Sequence, residues 1–370
     1  MKTEKMKDKS SPDYVVNVGV DDGHYGIKLA VEPGVVTEFQ GTKVDPKKIF
    51  CLYMPSRVTV GQVSTGIDGD ERSLYSVSSH GRQVSYTVIG DDHVTVQQQD
   101  TRTKDYAVSD ELLVLVHHAL LLAGLGGRKV RIATGLPYNR FFLSGQSKNE
   151  KLIADKTKHL LQNVPRNMNA NVRLAQIEEH LVMPEAVAGF HDQLTDDAGQ
   201  VNQKFYERIQ MAPVAFLDVG GNTTDIAVIK VGGRGIDDSR SFTIEAGGLH
   251  VETEAIPALR AWFEMEPSYV IPRKLVEAAV RTGKVRLLGR EREVHQIVDP
   301  LRANHALRIV NEISAKLKGA WDLDAVYLIG GGSLLLGDHL VSALQEGQAV
   351  TVENAQFANA RGFLKKMLYL

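Results

Sequence analysis

Little in this chain suits life outside the cell, in a bilayer or on nucleic acid. Among 370 residues Cys51 is the sole cysteine. No internal disulfide can form and no Cys/His spacing suits structural zinc, so a reducing compartment, the cytosol, is expected. Long hydrophobic runs are missing too. The best stretch, "LLVLVHHALLLAGL", is broken by His117 and His118, short of the roughly 18 apolar residues a spanning helix needs. Neither sign of charge dominates: 43 basic residues face 45 acidic ones, for a net charge of −2. That balance argues against a chain that coats DNA or an anionic membrane by itself. The lysine-rich start, "MKTEKMKDKSSPD", lacks the apolar core and cleavage site of a signal peptide, and residues 1–12 read as a disordered tail. Two nucleotide signatures are also absent, the GxxxxGK[ST] loop and the GxGxxG fingerprint; "TGKV" at 282–285 lacks the upstream glycine and the hydroxyl.

What is present is an ordinary globular composition, 43% apolar and 24% charged, in a chain long enough for about two domains. Strand-like runs "YVVNVGV" and "GIKLAV" flank a tight turn carrying Asp21, Asp22, Gly23 and Gly26. Residues 57 to 106 look like a small β-rich subdomain, with alternation in "QVSYTVIG" and "HVTVQQQ". A helix is expected from about Asp110 to Ala123, capped by Ser109 or Asp110 and stopped by Gly124. "KVRIATGLP" reads as a buried strand. The polar segment 191–213 is the best candidate for a domain boundary or insertion. Beyond it, "VAFLDVGGNTTDIAVIKV" repeats the first hairpin: apolar strand, Asp, any residue, Gly, a few mostly polar residues, apolar strand. Helical patterns follow from about 250 to 320, then the strand "AVYLIGGG", a helix, and the last helix "NARGFLKKMLYL", whose lysines are expected on a solvated face. Two similar strand–turn–strand units suggest two related domains that present matching loops to a shared cleft.

The loops have a chemistry in common. Gly23 and Gly26 in one, Gly220 and Gly221 in the other, let backbone N–H groups approach phosphate oxygens. Thr223 and Thr224 add hydroxyls, and Lys28 adds a point charge. Aspartates repel phosphate directly, so Asp21 and Asp218 make sense if Mg²⁺ lies between, held through its waters. The blander alternative is a pair of β-turns in which Asp and Gly only satisfy backbone geometry. A third glycine run, Gly330, Gly331 and Gly332 in "LIGGGSLLLG", ends a strand and opens a helix, which suits the base and ribose side of a nucleotide. Glu185, between Pro184 and "AVAGF", is expected in the first turn of a helix, where the dipole favours a carboxylate. His117 and His118 are adjacent on a helix and share no face, so they read as structural rather than metal ligands.

Taken together, "DDGHYGIK", "LDVGGNTTD" and "IGGGSLL" resemble the two phosphate loops and the adenosine motif of the actin-like ATPase superfamily. "LLVLVHHALLLAGL" with "RIATGLP", and "VMPEAVAGF" at 182–190, resemble the plasmid-segregation actins of the ParM/StbA type within it. The resemblance runs in order from Asp13 across nearly the whole chain. It implies an α/β actin-like (ribonuclease H-like) fold with two related domains flanking a nucleotide cleft. Domain I would comprise 13–212 plus 353–370, and domain II 213–352. It also implies Asp21 and Asp218 as metal-proximal acids, Asp218 and Glu185 as the catalytic pair, with Glu185 orienting the water, and Lys28 as the phosphate lysine. The first loop (Asp22, Gly23, His24, Tyr25, Gly26), the second (Gly220, Gly221, Asn222, Thr223), Gly247 and Gly248, and the third glycine run would surround ATP or GTP with Mg²⁺. His24 and Tyr25 depart from the family, whose relatives often carry Ser, Thr or Gly there. The implied activity is nucleotide hydrolysis coupled to head-to-tail filament assembly in plasmid DNA segregation. A separate DNA-binding adaptor would contact a centromere-like site, and no membrane is involved. A cell-shape or division scaffold and a small-molecule kinase share the fold and remain the rival readings.

Overall fold

Apolar, β-branched runs build two sheets. The computed structural model describes residues 8–64, 71–79, 81–90, 96, 98–143, 147–317, 322–344 and 347–370. "VNVGVDD" forms β1 (Val16–Asp22) and "GIKLAV" forms β2 (Gly26–Val31), a hairpin to which β3 (Phe50–Pro55) adds antiparallel. On its other side β1 pairs parallel with β4 (Lys129–Leu136), which pairs parallel with β5 (Gln176–Pro184). The five-stranded order is thus β5-β4-β1-β2-β3.

The second sheet repeats the first strand for strand. An antiparallel hairpin of β6 (Val214–Val219) and β7 (Thr224–Ile229) carries the antiparallel edge strand β8 (Phe242–Ile244). Parallel strands β9 (Ala325–Ile329) and β10 (Ala349–Thr351) complete the order β8-β7-β6-β9-β10. Strands β2, β6 and β7 are buried at every position, because helices cover both faces.

Helix Asp110–Leu122 begins as its sequence predicts: the Ser109 hydroxyl accepts from the Leu112 N–H, and Gly124 turns the chain at φ +78°. The C-terminal helix, Ala358–Tyr369, crosses the first sheet at very short range. A Cβ on Gly19 would sit 1.9 Å from the Ala360 carbonyl oxygen, and one on Gly362 1.9 Å from that of Ala188, in helix Val187–Leu194.

The polar segment 191–213 lies between the two sheets and is itself folded: helix Val187–Leu194 runs into it and helix Gln203–Met211 follows, capped by Asn202. Phe205 and Ile209 lie one turn apart and pack with Phe216 and Tyr327 of the second sheet. Three expectations need correction. The helical stretch 250–320 is interrupted by a hairpin, Lys284–Leu287 with Arg290–Glu293, whose many charges hide a strand pattern. Lys365 does not face solvent. It is buried and donates to Asp192 Oδ1 at 2.9 Å and to the Asp192 and Thr195 carbonyls at 2.7 Å, while Lys366 is exposed. Finally, residues 8–12 dock on the body, with Lys9 on Glu32 at 2.9 Å and Arg128 on the Lys9 carbonyl at 2.7 Å. Residues 1–7 of the expected tail lie outside the described residues.

A four-stranded sheet from 58–60, 74–79, 82–88 and 166–167 stands beside the first sheet. Most of "HVTVQQQ" lies outside the described residues. His118 shares a 2.8 Å hydrogen bond with the Tyr75 hydroxyl in the core, and its neighbour His117 is likewise buried.

Candidate active site

Parallel strands deliver their ends to one place. The carboxyl ends of β1, β4, β5, β6 and β9 meet at a cavity of about 650 Å³, lined by Asp21, Asp22, Gly135, Glu185, Asp218 and Gly330, among others. That is where open α/β sheets bind ligands. The two hairpin tips face each other across it: a Cβ on Gly221 would lie 3.1 Å from the Tyr25 Cβ.

Two buried lysines answer the paired aspartates. Register sets Lys28 opposite Asp21 on the first hairpin, and their charged groups meet at 3.1 Å. Burial raises the Asp21 pKa, with Lys28 pulling the other way. For Lys28 burial alone would favour the neutral amine, but Asp21, with Tyr53 and Asp218, offsets it and its pKa is raised. The second lysine, Lys156, comes from helix Glu150–Gln162; it pairs with Asp22 at 2.6 Å and donates to the Gly135 carbonyl at 2.5 Å.

On the far side three carboxylates converge. Glu185, Asp218 and Asp225 each offer an oxygen, all within 4.8 Å of one another. Asp218 and Asp225 face each other in the second hairpin as Asp21 and Lys28 do in the first. Burial and the neighbouring Asp21 raise Asp218 to about 7, against the Asn359 amide, which donates to its Oδ2 at 2.6 Å. Asp225 is raised to about 6, chiefly by burial, although Thr243 and the Tyr138 N–H donate to it. Glu185 is pushed well above the carboxylate range by burial and then by Asp225, Asp21 and Asp218.

Glu185 does not occupy a helical turn. Just past the end of β5, its N–H bonds the Leu136 carbonyl at the end of β4, and helix Val187–Leu194 starts only after Ala186. Ala186 has φ +62° and ψ −44°, with the Val187 N–H on the Glu185 carbonyl at 2.7 Å. This is the rare positive-φ γ-turn, a strained geometry at a non-glycine residue. It aims the Glu185 side chain over Gly135, where a Cβ would clash at 2.7 Å.

The glycine loops interlock. Gly248 and Leu249 donate to the Gly220 and Gly221 carbonyls, and Gly247 leaves no room for a Cβ beside Gly221. Asn222 and Thr223 line the cavity beside them. Gly332 bonds back to Val219 at 2.7 Å. In the first loop Gly23 accepts from Ser56, Gly26 packs on the Tyr53 ring, and His24 is pinned by Thr101 at 2.6 Å. Tyr25 lines the cavity and also reaches the second half. Its hydroxyl hydrogen-bonds Glu252 of the second half, and Arg273 lies 5.4 Å from its ring. Arg57 joins Glu277 at 2.5 Å, and Arg273 reaches Glu277 at 3.1 Å and Gln98 at 3.3 Å. Tyr25, Arg57 and Gln98 are thereby clasped to the second half beside a smaller chamber of about 180 Å³, which Tyr25, Glu252 and Gly332 help line.

Comparison with known families matches this arrangement in two pieces. Residues 59–195 match the model for the plasmid segregation protein ParM, N-terminal, and residues 216–342 that for the archaeal actin homologue MreB-like, C-terminal. The chain belongs to the actin-like superfamily. Its fold is shared by the archaeal actin homologue Ta0583, 20% identical, with 96% of this chain and 99% of that one covered at a TM-score of 0.70. Ta0583 is also known in complex with ADP, at 21% identity, coverage of 96% and 99%, and TM-score 0.69. A 15-stranded ParM filament from Clostridium botulinum is 18% identical over 95% and 99%, with a TM-score of 0.69. No curated protein sequence matches this actin-like chain.

The residues of this actin-like cleft fit a divalent cation and a polyphosphate. Carboxylate oxygens are the donors Mg²⁺ prefers. Asn359 Oδ1 is buried without a partner among the described residues. A Cβ on Gly331 would meet nothing nearer than Lys28 at 4.0 Å, which leaves backbone open beside a cation. Among the sequence-derived candidates, Asp218 and Glu185 are in the acidic trio, while Asp21 faces Lys28. Sequence reasoning missed Asp225, Lys156 and Asn359. Asp225 was within reach, because it follows Asp218 by the same seven positions that separate Asp21 from Lys28.

Proposed function

We propose that this chain is a filament-forming actin-like nucleotidase that hydrolyses ATP or GTP with Mg²⁺ and drives plasmid DNA segregation in the cytoplasm. The observation that carries the reading is the convergence of Glu185, Asp218 and Asp225, with Lys28 and Lys156, on one cavity between two glycine hairpins. A bound Mg²⁺, held by Asp218 and Asp225 beside Glu185, would supply charge neutralisation for the phosphates. The protein's own part is positioning. Lys28 and the backbone N–H groups of the loops orient the γ-phosphate. Glu185, with its raised proton affinity, accepts a hydrogen bond from the attacking water and then its proton. The water oxygen bonds to the γ-phosphorus as the bond to the β–γ bridging oxygen breaks, leaving nucleoside diphosphate and inorganic phosphate. Loss of the γ-phosphate relaxes closure of the two halves and weakens head-to-tail contacts, which makes the filament a timed device.

Membership of the superfamily and the filament formed by the related ParM support self-association. The near-neutral charge supports contact with DNA through a separate adaptor protein, and among the described residues no helix is long and apolar enough to cross a membrane. Light scattering after adding ATP or GTP with Mg²⁺, followed alongside phosphate release, tests the reading. The wild type should assemble and then decay. Glu185→Ala should bind nucleotide and assemble while hydrolysis falls about 10²–10⁴-fold, so its scattering persists. Absence of assembly, with phosphate transfer that requires an added sugar, would replace the filament reading with a kinase.

A further inference from the structure

We propose that Asn359 is a positioning residue of the site: its amide N–H fixes Asp218, and its carbonyl oxygen receives the hydrogen of a water held beside that carboxylate. The inference rests on the hydrolytic reading above. Asn359 is the second residue of the C-terminal helix, 141 positions from Asp218, and brings the first half's last helix to the second half's acid. Both side chains are buried, at 3% and 4% exposure. The amide nitrogen donates to Asp218 Oδ2, which turns the carbonyl oxygen away from that carboxylate oxygen.

That oxygen is what a purely structural clip leaves unexplained. It is buried, has no partner among the described residues, and belongs to a residue that lines the cavity with Glu185 and Asp218. Buried acceptors are rarely left so unless water or a ligand supplies the hydrogen. The other Asp218 oxygen is held as well. Oδ1 lies against Gly330, where φ is +86° and a Cβ would come within 2.2 Å. With the amide on one oxygen and the Gly330 backbone beside the other, the carboxylate plane cannot turn, and the Asn359 oxygen sits at a fixed place beside it. A water there would be gripped from two sides.

Two variants test this: Asn359→Asp, which keeps the shape but replaces the donor with an acceptor, and Asn359→Ser, which removes both groups without adding charge. Two readouts are needed, kcat and KM for phosphate release, and calorimetric affinity for a non-hydrolysable ATP analogue with Mg²⁺ and with EDTA. A positioning role predicts kcat lower by about 10–100-fold, KM little changed, and loss of the gain in affinity that Mg²⁺ gives the wild type. For Asn359→Ser, which adds no charge, binding in EDTA should stay at the wild-type level. Variants that melt earlier but keep kcat and the Mg²⁺ gain would overturn the assignment and leave a structural clip. So would failure of both variants to fold. A wild type that hydrolyses no nucleotide is a different failure, that of the hydrolytic reading, and the comparison with wild type separates the two.

Discussion

Removing Lys156 would leave the Asp22 carboxylate stranded. Their side chains are 2% and 3% exposed and lie 2.6 Å apart, and breaking such a pair from one side typically costs about 3–5 kcal/mol. Lys156→Met should therefore lower the denaturation midpoint sharply, and adding Asp22→Asn should restore much of it. Urea unfolding of the single and double variants measures both effects. A second expectation concerns pH. Asp218, Asp225 and Glu185 all have pKa values raised on folding, so the folded chain holds protons that the unfolded chain releases at about pH 4. Their contribution to stability is then greatest below that point and is lost as pH rises toward about 6 for Asp225 and about 7 for Asp218. Each raised unit contributes about 1.4 kcal/mol to that loss. Thermal melts from pH 4 to 8 should show the decline, and millimolar Mg²⁺ should reverse it by binding the ionised Asp218 and Asp225. Hairpin acids and glycines were legible because a motif carries them within a few positions. Lys156 and Asn359 were not, since each is a single polar residue on a mainly apolar helix face, and only tertiary packing tells which cavity it meets.

Between elements, the tightest fit is the C-terminal helix. Gly362 is pressed against the Ala188 carbonyl so closely that even a methyl has no room. Gly362→Ala should cost about 1–3 kcal/mol through forced separation of the two helices, seen as a lower melting temperature. The same lesion should blunt nucleotide binding, because that helix also carries Asn359 to Asp218. At this scale the strands could be read from sequence wherever apolar runs met glycine turns. Helix Gln203–Met211 could not, because two buried residues, Phe205 and Ile209, in nine make too thin a stripe to stand out in a polar segment. The hairpin at 284–293 escaped for the opposite reason: charges at both faces of an exposed ribbon erase alternation.

For the whole molecule, the duplicated sheets give two halves, each with its own apolar core. One tie lies above the cleft, where Tyr25 and Arg57 reach Glu252 and Glu277. Its residues give a use to a loop that looked anomalous in sequence, since the Tyr25 hydroxyl bonds Glu252 of the other half. The consequence is kinetic. If a nucleotide enters only while these contacts are broken, its observed association rate should level off at high concentration, at the rate with which the halves part. Screening normally slows the arrival of a polyanion at a basic pocket, yet here moderate salt should raise that plateau by weakening the ion pairs. Arg57→Gln should raise it as well. Stopped-flow mixing with a fluorescent ATP analogue would show both, and a rate that climbs without limit and falls with salt would mean that the cleft exchanges its contents freely.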